Sequence, residues 1–375
     1  MLVGLSMDAS ANFRRFPRGK NALMFEALNR RYGVEAVHHP ALSPPDRKLR
    51  QLRAFHPDQN TWRRRFNLDP RTFEARTVRA KAMLEGSAAN VLVLLHTLVA
   101  PPSDRPYVHH MDTTYRLTER FFPEGAPLRG SARARWLEQE TEVYRGASAL
   151  FPRSTWVARS LIDEYGCEPD RVLAVGCGAN LPILTLERRR WDSQTALFVG
   201  LEWGRKGGPT LLRAWERVVA ACPRARLQVI GIPRRPRKLP PGVEWLGEIR
   251  DRDRMAALFA NASVFVMPSN YEPWGNVFLE AMASGLPCVG ANVCAMPEII
   301  RHGQTGLLVP RRDHGALAQA LIELLDDPAA AETMGRAGHD IVSTRWNWDA
   351  VVDRMAPYIE HARDSVSAYR ATEAR

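Results

Sequence analysis

Short apolar runs alternate with longer stretches of helical apolar spacing through the second half of the chain. LFVGL (197–201), RLQVIG (226–231), VEWLG (243–247), SVFVMPS (263–269) and PCVGA (287–291) are bounded by Gly, Pro or polar residues and predict strands. Helical patterns lie over Pro209–Ala221, Arg252–Ala260 and about Val277–Ser284. Amphipathic spacing predicts two more helices, over Ala316–Leu325 and Trp348–His361. Strands interleaved with helices of this kind form βαβ units on a parallel sheet.

The first half is less regular. LVGLS (2–6), VEAVHH (34–39), NVLVLLH (90–96), YVHHM (107–111), ALFP (149–152) and VLAVG (172–176) predict strands, with helices between several of them. The Arg-rich piece from Pro44 to Gly86 has weak periodicity and is expected to be helical and mobile. The texture changes near Asn180 to Trp191, where PILTLERRRW reads as a linker. The expected architecture is α/β, with two Rossmann-like doubly wound domains facing a cleft. Its bounds are a first domain over 1–180, a linker over 181–194, a second domain over 195–345, and a terminal helix over 346–375 packing back on the first domain.

A length of 375 residues accommodates two such cores. No apolar run reaches the roughly 20 residues of a membrane span. MLVGLSMDASANF has no basic leader before an apolar run, so no secretory leader is expected. The five cysteines form no CxxC pair and no metal-ligand spacing, which suits a reducing compartment and a cytoplasmic address. The net charge of +11 sits almost wholly in the first half: residues 1–190 carry 30 Lys+Arg against 20 Asp+Glu, and residues 191–375 carry 22 against 21. Arg47 to Lys81 is the densest stretch, with eleven basic and three acidic residues. It suits an anionic partner such as a phospholipid surface, a charged acceptor or nucleic acid, the plainer alternative being a solvated face.

SVFVMPSNYEPWGNVFLE carries the most specific chemistry. A strand ends at Pro268-Ser269, a loop bears Glu272, a helix begins near Gly275-Asn276, and Glu280 falls about one turn into it. Helix N-termini at the carboxyl ends of parallel strands direct free N–H groups at anions. Two carboxylates would repel an anion, so sugar or ribose hydroxyls are their natural partners. Upstream, GLEWGRKGG (200–208) sets Arg205 and Lys206 between a strand and a helix, where cations can neutralise a diphosphate leaving group. The alternatives are a solvated loop glutamate, a surface helix glutamate and a basic loop. Asp251-Arg252-Asp253 spells a DxD metal motif but stands at a helix start, where Asp is a favoured cap.

EPWGNVFLEAMASGLPCVG resembles the Glu-x7-Glu segment of retaining GT-B glycosyltransferases, glycosyltransferase family 4. FVGLEWGRKGG, PEIIRHGQTGLLVP (297–310), MGRAG (334–338) and RWNWDAV (345–351) extend the resemblance over nearly all of residues 195–355. It implies a hexosyltransferase-type enzyme that needs no metal and no cofactor beyond a nucleotide-diphospho-sugar as co-substrate. Arg205 and Lys206 would bind the donor diphosphate, Glu272 the sugar hydroxyls and Glu280 the ribose. Backbone around Trp274, Gly275 and Asn276 would contact sugar and phosphate, and the base would lie along Gly247 to Arg250, with Gly247 and Ile249 as its contacts. The acceptor implied is a carbohydrate or a lipid-linked molecule. A peripheral anionic contact at the inner membrane face is expected, and no nucleic-acid partner.

In the first half, PYVHHMDTTYRL (106–117) ends a strand in polar residues. By resemblance Asp112, with His110 as rival, is the group near the reacting carbon. A carboxylate or imidazole there could take the acceptor proton or stabilise an oxocarbenium-like centre. Otherwise the histidines alternate between buried and exposed, and Asp112 caps the next helix. The Gly-Gly loop that many family members carry after the first strand is replaced by SMDASANFRRFPRG, with Gly19 its only glycine. Other readings on the same scaffold are a non-catalytic sugar-nucleotide or glycan-binding protein and a nucleotide-sugar epimerase or phosphorylase.

Overall fold

The computed structural model describes residues 1–15, 21–96, 99–102, 105–187 and 189–373, with side chains to 365. The chain divides into two compact units, one made of Met1–Gly176 with Val351–Arg375, the other of Cys177–Ala350.

The first unit holds β1 (Leu2–Ser6), α1 (Ala22–Tyr32), β2 (Val34–His38), α2 (Pro44–Arg53), α3 (Gln59–Leu68), α4 (Pro70–Leu84), β3 (Val91–Leu95), β4 (Tyr107–Met111), α5 (Tyr115–Phe121), α6 (Gly130–Arg145), β5 (Ala149–Pro152) and α7 (Thr155–Asp163). Its five parallel strands run in the order β2-β1-β3-β4-β5. Every residue of β1, β3, β4 and β5 is buried, because helices cover both faces of a parallel sheet. That is why VLVLL and ALFP read as unbroken apolar runs. The Arg-rich piece forms three helices, each started by a side-chain cap from Ser43, Asp58 or Asp69. VLAVG differs from expectation. It runs beside β5, where Leu173 N–H donates to Leu150 O at 2.9 Å and Val175 N–H to Pro152 O at 3.0 Å, but only one bridge, Leu150 to Val172, is regular.

The second unit holds β6 (Thr195–Val199), α8 (Gly208–Ala221), β7 (Arg226–Ile230), β8 (Val243–Gly247), α9 (Arg252–Asn261), β9 (Val264–Met267), α10 (Asn276–Ala283), β10 (Cys288–Ala291), α11 (Met296–Ile299), β11 (Gly306–Val309), α12 (His314–Asp326) and α13 (Pro328–Thr344). α14 (Trp348–Glu373) starts in this unit and continues into the first. The strand order is β11-β10-β9-β6-β7-β8, again all parallel. β11 and α13 have no counterpart among the predicted elements. Both units are therefore Rossmann-like α/β halves of the doubly wound kind. Among the described residues, no helix is long and apolar enough to cross a membrane.

Candidate functional site

In the second unit β7 and β8 lie to one side of β6, and β9, β10 and β11 to the other. Strand order thus reverses between β6 and β9. Loops leaving the carboxyl ends of such a pair turn to opposite faces and open a crevice, where doubly wound folds take their ligands. The two loops at this point are residues 200–207 after β6 and 268–275 after β9, which carry the basic pair and Glu272.

The loops are stitched together. Asn270 N–H donates to Arg205 O at 2.7 Å, and the Asn270 side-chain amide donates to Gly204 O at 2.8 Å. Gly207, at φ +77°, precedes α8, and a Cβ there would lie 1.8 Å from Pro268 O, so only glycine lets the first loop press on the second. The Lys206 ammonium consequently contacts Glu272 Oε2 directly. Arg205 Nη1 donates to Tyr271 O at 2.9 Å and lies 3.8 Å from the same Glu272 oxygen, while its Nε donates to Glu202 at 2.6 Å. The side chains of Lys206 and Glu272 are 12% and 8% exposed. Burial draws the Lys206 pKa below that of an ordinary lysine; Glu272 opposes the shift and Arg205 reinforces it.

No side chain caps α10. Gly275, in the left-handed region at φ +79° and ψ +59°, delivers the chain into it, and Phe278 N–H donates back to Gly275 O at 2.9 Å. Arg205, Lys206 and the α10 N-terminus converge on one crevice edge, and the buried carboxylate beside them can accept hydroxyl protons. Glu280 is half-buried on the same helix. Trp274 is buried at 1% exposure and packs edge-on against Trp346 at 5.3 Å, so its indole is a prop beneath the loop rather than a ligand surface. Gly247 (φ +69°) ends β8 and Ile249 follows two residues on. Asp251 caps α9, accepting from Asp253 N at 2.9 Å and Arg254 N at 3.0 Å, as expected of an Asp at a helix start.

In the first unit the strand register brings three loop starts together. His110 on β4 pairs with Leu95 on β3 and Phe151 on β5, so His96, Asp112 and Arg153 share the carboxyl edge. Asp112 Oδ1 lies 3.5 Å from His96 Nδ1, and Asp112 Oδ2 lies 3.9 Å from Arg153 Nη1. Arg153, 3% exposed, donates from Nη2 to His96 Nε2 at 2.6 Å. With Nε2 accepting, the His96 proton sits on Nδ1 and faces Asp112, an assignment made by the network. His96 holds φ +47° to do this. Asp112 is not a helix cap: Thr114 caps α5, its hydroxyl accepting from Leu117 N at 3.3 Å. Nor do the histidines alternate. His109 and His110 are both buried; His110 Nε2 donates to Gly176 O at 3.0 Å, and burial holds both imidazoles neutral, His109 at a pKa of about 3. Gly19, in the loop after β1, lies outside the described residues.

His96 and Arg153 were not singled out from sequence, and neither were Arg311 and Arg312 after β11. Arg312 Nε donates to the Asn270 side chain at 3.3 Å and Arg311 Nη1 to Asn270 O at 3.5 Å, adding two cations beside the loop that bears Glu272. The pairing of a basic dipeptide with a Gly- and Pro-bounded loop was the only available signal.

The family model for glycosyl transferases group 1 matches residues 193–327. D-inositol 3-phosphate glycosyltransferase of Thermomonospora curvata is 31% identical over 298 residues, 71% of this chain and 68% of the relative. A GDP-mannose-dependent monoacylated alpha-(1-6)-phosphatidylinositol monomannoside mannosyltransferase of Corynebacterium glutamicum is 33% identical over 170 residues, 42% of this chain and 44% of that one. Among solved structures, sucrose-phosphate synthase from Thermosynechococcus elongatus superposes with a TM-score of 0.67 at 19% identity, covering 100% of this chain and 99% of that one. Two parallel Rossmann-like halves with this fold likeness define the GT-B class. The chain belongs to the group 1 glycosyltransferases, glycosyltransferase family 4.

Proposed function

We propose that the protein transfers a sugar from a nucleotide-diphospho-sugar to an acceptor hydroxyl with retention of anomeric configuration and without a metal. The observation that carries this reading is the convergence of Arg205, Lys206, Glu272 and the uncapped N-terminus of α10 at the switch point of the second sheet. On this account the donor diphosphate seats against α10 and exchanges for Glu272 as the partner of Arg205 and Lys206. Negative charge develops on that diphosphate as the glycosidic bond breaks, and two fixed cations stabilise it there. Released from Lys206, Glu272 accepts from the sugar hydroxyls and Glu280 from the ribose. Gly247 and Ile249, at the end of β8, face the base.

Asp112 is assigned to the acceptor side, as the carboxylate that takes the acceptor proton or stabilises positive charge at the reacting carbon. Its carboxylate oxygens lie 3.5 Å from His96 Nδ1 and 3.9 Å from Arg153 Nη1, which orients it. His110 is given no direct role, since its ring is enclosed and hydrogen-bonded to Gly176. The names of the two relatives given above both contain a phosphorylated inositol, free in one and within a phosphatidylinositol monomannoside in the other, which makes that acceptor class the first to assay.

The test is product analysis. Incubation with a nucleotide-diphospho-sugar and an inositol phosphate, in the presence of EDTA, should release nucleoside diphosphate and give a product whose anomeric one-bond C1–H1 coupling matches that of the donor. Inverted coupling would remove the retaining assignment, and dependence on added divalent cation would remove the metal-free one.

A further inference from the structure

α2 contains no buried residue, yet it is amphipathic. Leu49 and Leu52 are 50% and 61% exposed, and Phe55, just past its end, is 60% exposed. Single exposed leucines are ordinary, but three large apolar side chains spaced by three residues make one outward stripe. Helical spacing sets Lys48 on one flank of Leu49 and Leu52 and Arg53 on the other.

The acids nearby are engaged elsewhere. Asp46 accepts from the Ser43 hydroxyl at 2.6 Å, Asp58 caps α3, Asp69 caps α4, and Glu74 pairs with Arg135. Among the described residues, Arg47, Lys48, Arg53, Arg63 and Arg65 contact no carboxylate, so the positive charge of this face is not neutralised within the chain. Between α2 and α3 lies a pocket of about 310 Å³ whose lining includes Arg47, Gln51, Trp62, Arg63 and Asn67. Its walls are fixed: Trp62 Nε1–H donates to Gln51 O at 2.6 Å, and Phe55 packs edge-on against Trp62 at 5.6 Å.

We propose that the α2–α3 hairpin docks on an anionic phospholipid bilayer, Leu49, Leu52 and Phe55 entering the interface while Arg47 and Arg63 hold a lipid phosphate in the pocket. A protruding apolar stripe rimmed by cations is the form that interfacial helices take. A groove for a peptide would recess its apolar residues instead. The cations supply attraction to the charged surface, and the stripe adds burial that salt does not screen.

Flotation of the full chain with vesicles tests this, using phosphatidylcholine alone and phosphatidylcholine with phosphatidylglycerol. The expected result is binding only to the anionic vesicles, weakened by salt. The doubly substituted L52E/F55E chain and the doubly substituted R47A/R63A chain should each bind at least ~10-fold more weakly. These side chains lie outside the core, so both variants should keep wild-type melting temperatures, and glycerol 1-phosphate at millimolar concentration should not compete. Absence of flotation on anionic vesicles, or flotation unchanged in L52E/F55E, would overturn the proposal. So would full competition by glycerol 1-phosphate, which would make the pocket a soluble-phosphate site. A wild-type dimer made monomeric by L52E/F55E would assign the stripe to a second copy of the chain and equally overturn it.

Discussion

The ammonium of Lys206 rests on a carboxylate oxygen of Glu272, 66 residues further along the chain, in a pair almost closed to solvent. Removing one partner of a buried pair strands the other's charge, at a cost of roughly 3–5 kcal/mol. Lys206→Ala should therefore lower the melting temperature as well as reduce turnover about 10²-fold. Adding Glu272→Gln should restore most of the stability and none of the activity. Measured together, denaturation and steady-state rates separate the two roles. A Lys206→Ala enzyme with wild-type turnover would dissociate this cation from the leaving group.

Gly207 and Gly204 lie three residues apart on the same loop, and only the first should be harmed by alanine. Gly207→Ala places a Cβ 1.8 Å from a backbone oxygen at φ +77° and should cost at least ~2 kcal/mol. Gly204→Ala meets nothing within 4 Å and should be neutral. Chemical denaturation of both variants checks this, and equal stabilities would remove the claim that the β6 loop presses on the end of β9.

Asp112→Asn should reduce kcat by about 10²-fold or more while the donor-induced rise in melting temperature stays unchanged, because Asp112 sits on the first unit and the donor cluster on the second. His96→Asn keeps a donor toward Asp112 and should cost less than His96→Ala. If both His96 variants matched the wild type in kcat, the arrangement around Asp112 would be structural only.

Glu140 gives a pH prediction independent of catalysis. It is buried on α6, accepts from the Tyr115 N–H at 3.1 Å and the Tyr144 hydroxyl at 3.0 Å, and contacts the Tyr165 hydroxyl. Burial outweighs these bonds and pushes its pKa up to about 7. A carboxyl whose folded pKa lies above its unfolded value adds stability that is complete below pH about 4.5 and lost as pH rises through about 7. The loss should be on the order of 3 kcal/mol. Glu140→Gln should flatten this dependence in denaturation curves taken from pH 4.5 to 8. An unchanged slope would refute the assignment.

Much of this was legible in the chain because its local signals agree with its fold. β6 to β10 follow from apolar runs bounded by Gly and Pro, and the Asp251 cap follows from its place before a helical pattern. α13 was hidden because PAAAETMGRAGHDIVST is rich in small residues. Gly335 lets that helix approach Gly285 O so closely that a Cβ would stand 2.2 Å away, and the absent side chains remove the apolar periodicity. β11 is only four residues long and follows a turn, too short to alternate. VLAVG has strand composition without a full ladder, a distinction made by backbone partners and not by side chains. Arg205 and Lys206, and Glu272 and Glu280, stand out in the sequence because one contiguous motif carries each pair. His96 and Arg153 do not, since 57 residues separate them and only strand order makes them neighbours.

The donor clamp is tested most directly by thermal shift against UDP-, GDP-, ADP- and dTDP-sugars, for the wild type and for Lys206→Ala. A ligand at 100 times its Kd raises stability by about 2.7 kcal/mol, well within reach of the assay. The predicted result is a rise in melting temperature with at least one nucleotide-sugar, a smaller rise with the matching nucleoside monophosphate, and a loss of most of the rise in Lys206→Ala. An equal rise in both proteins, or no rise with any donor, would contradict a diphosphate site built on Arg205, Lys206 and the start of α10.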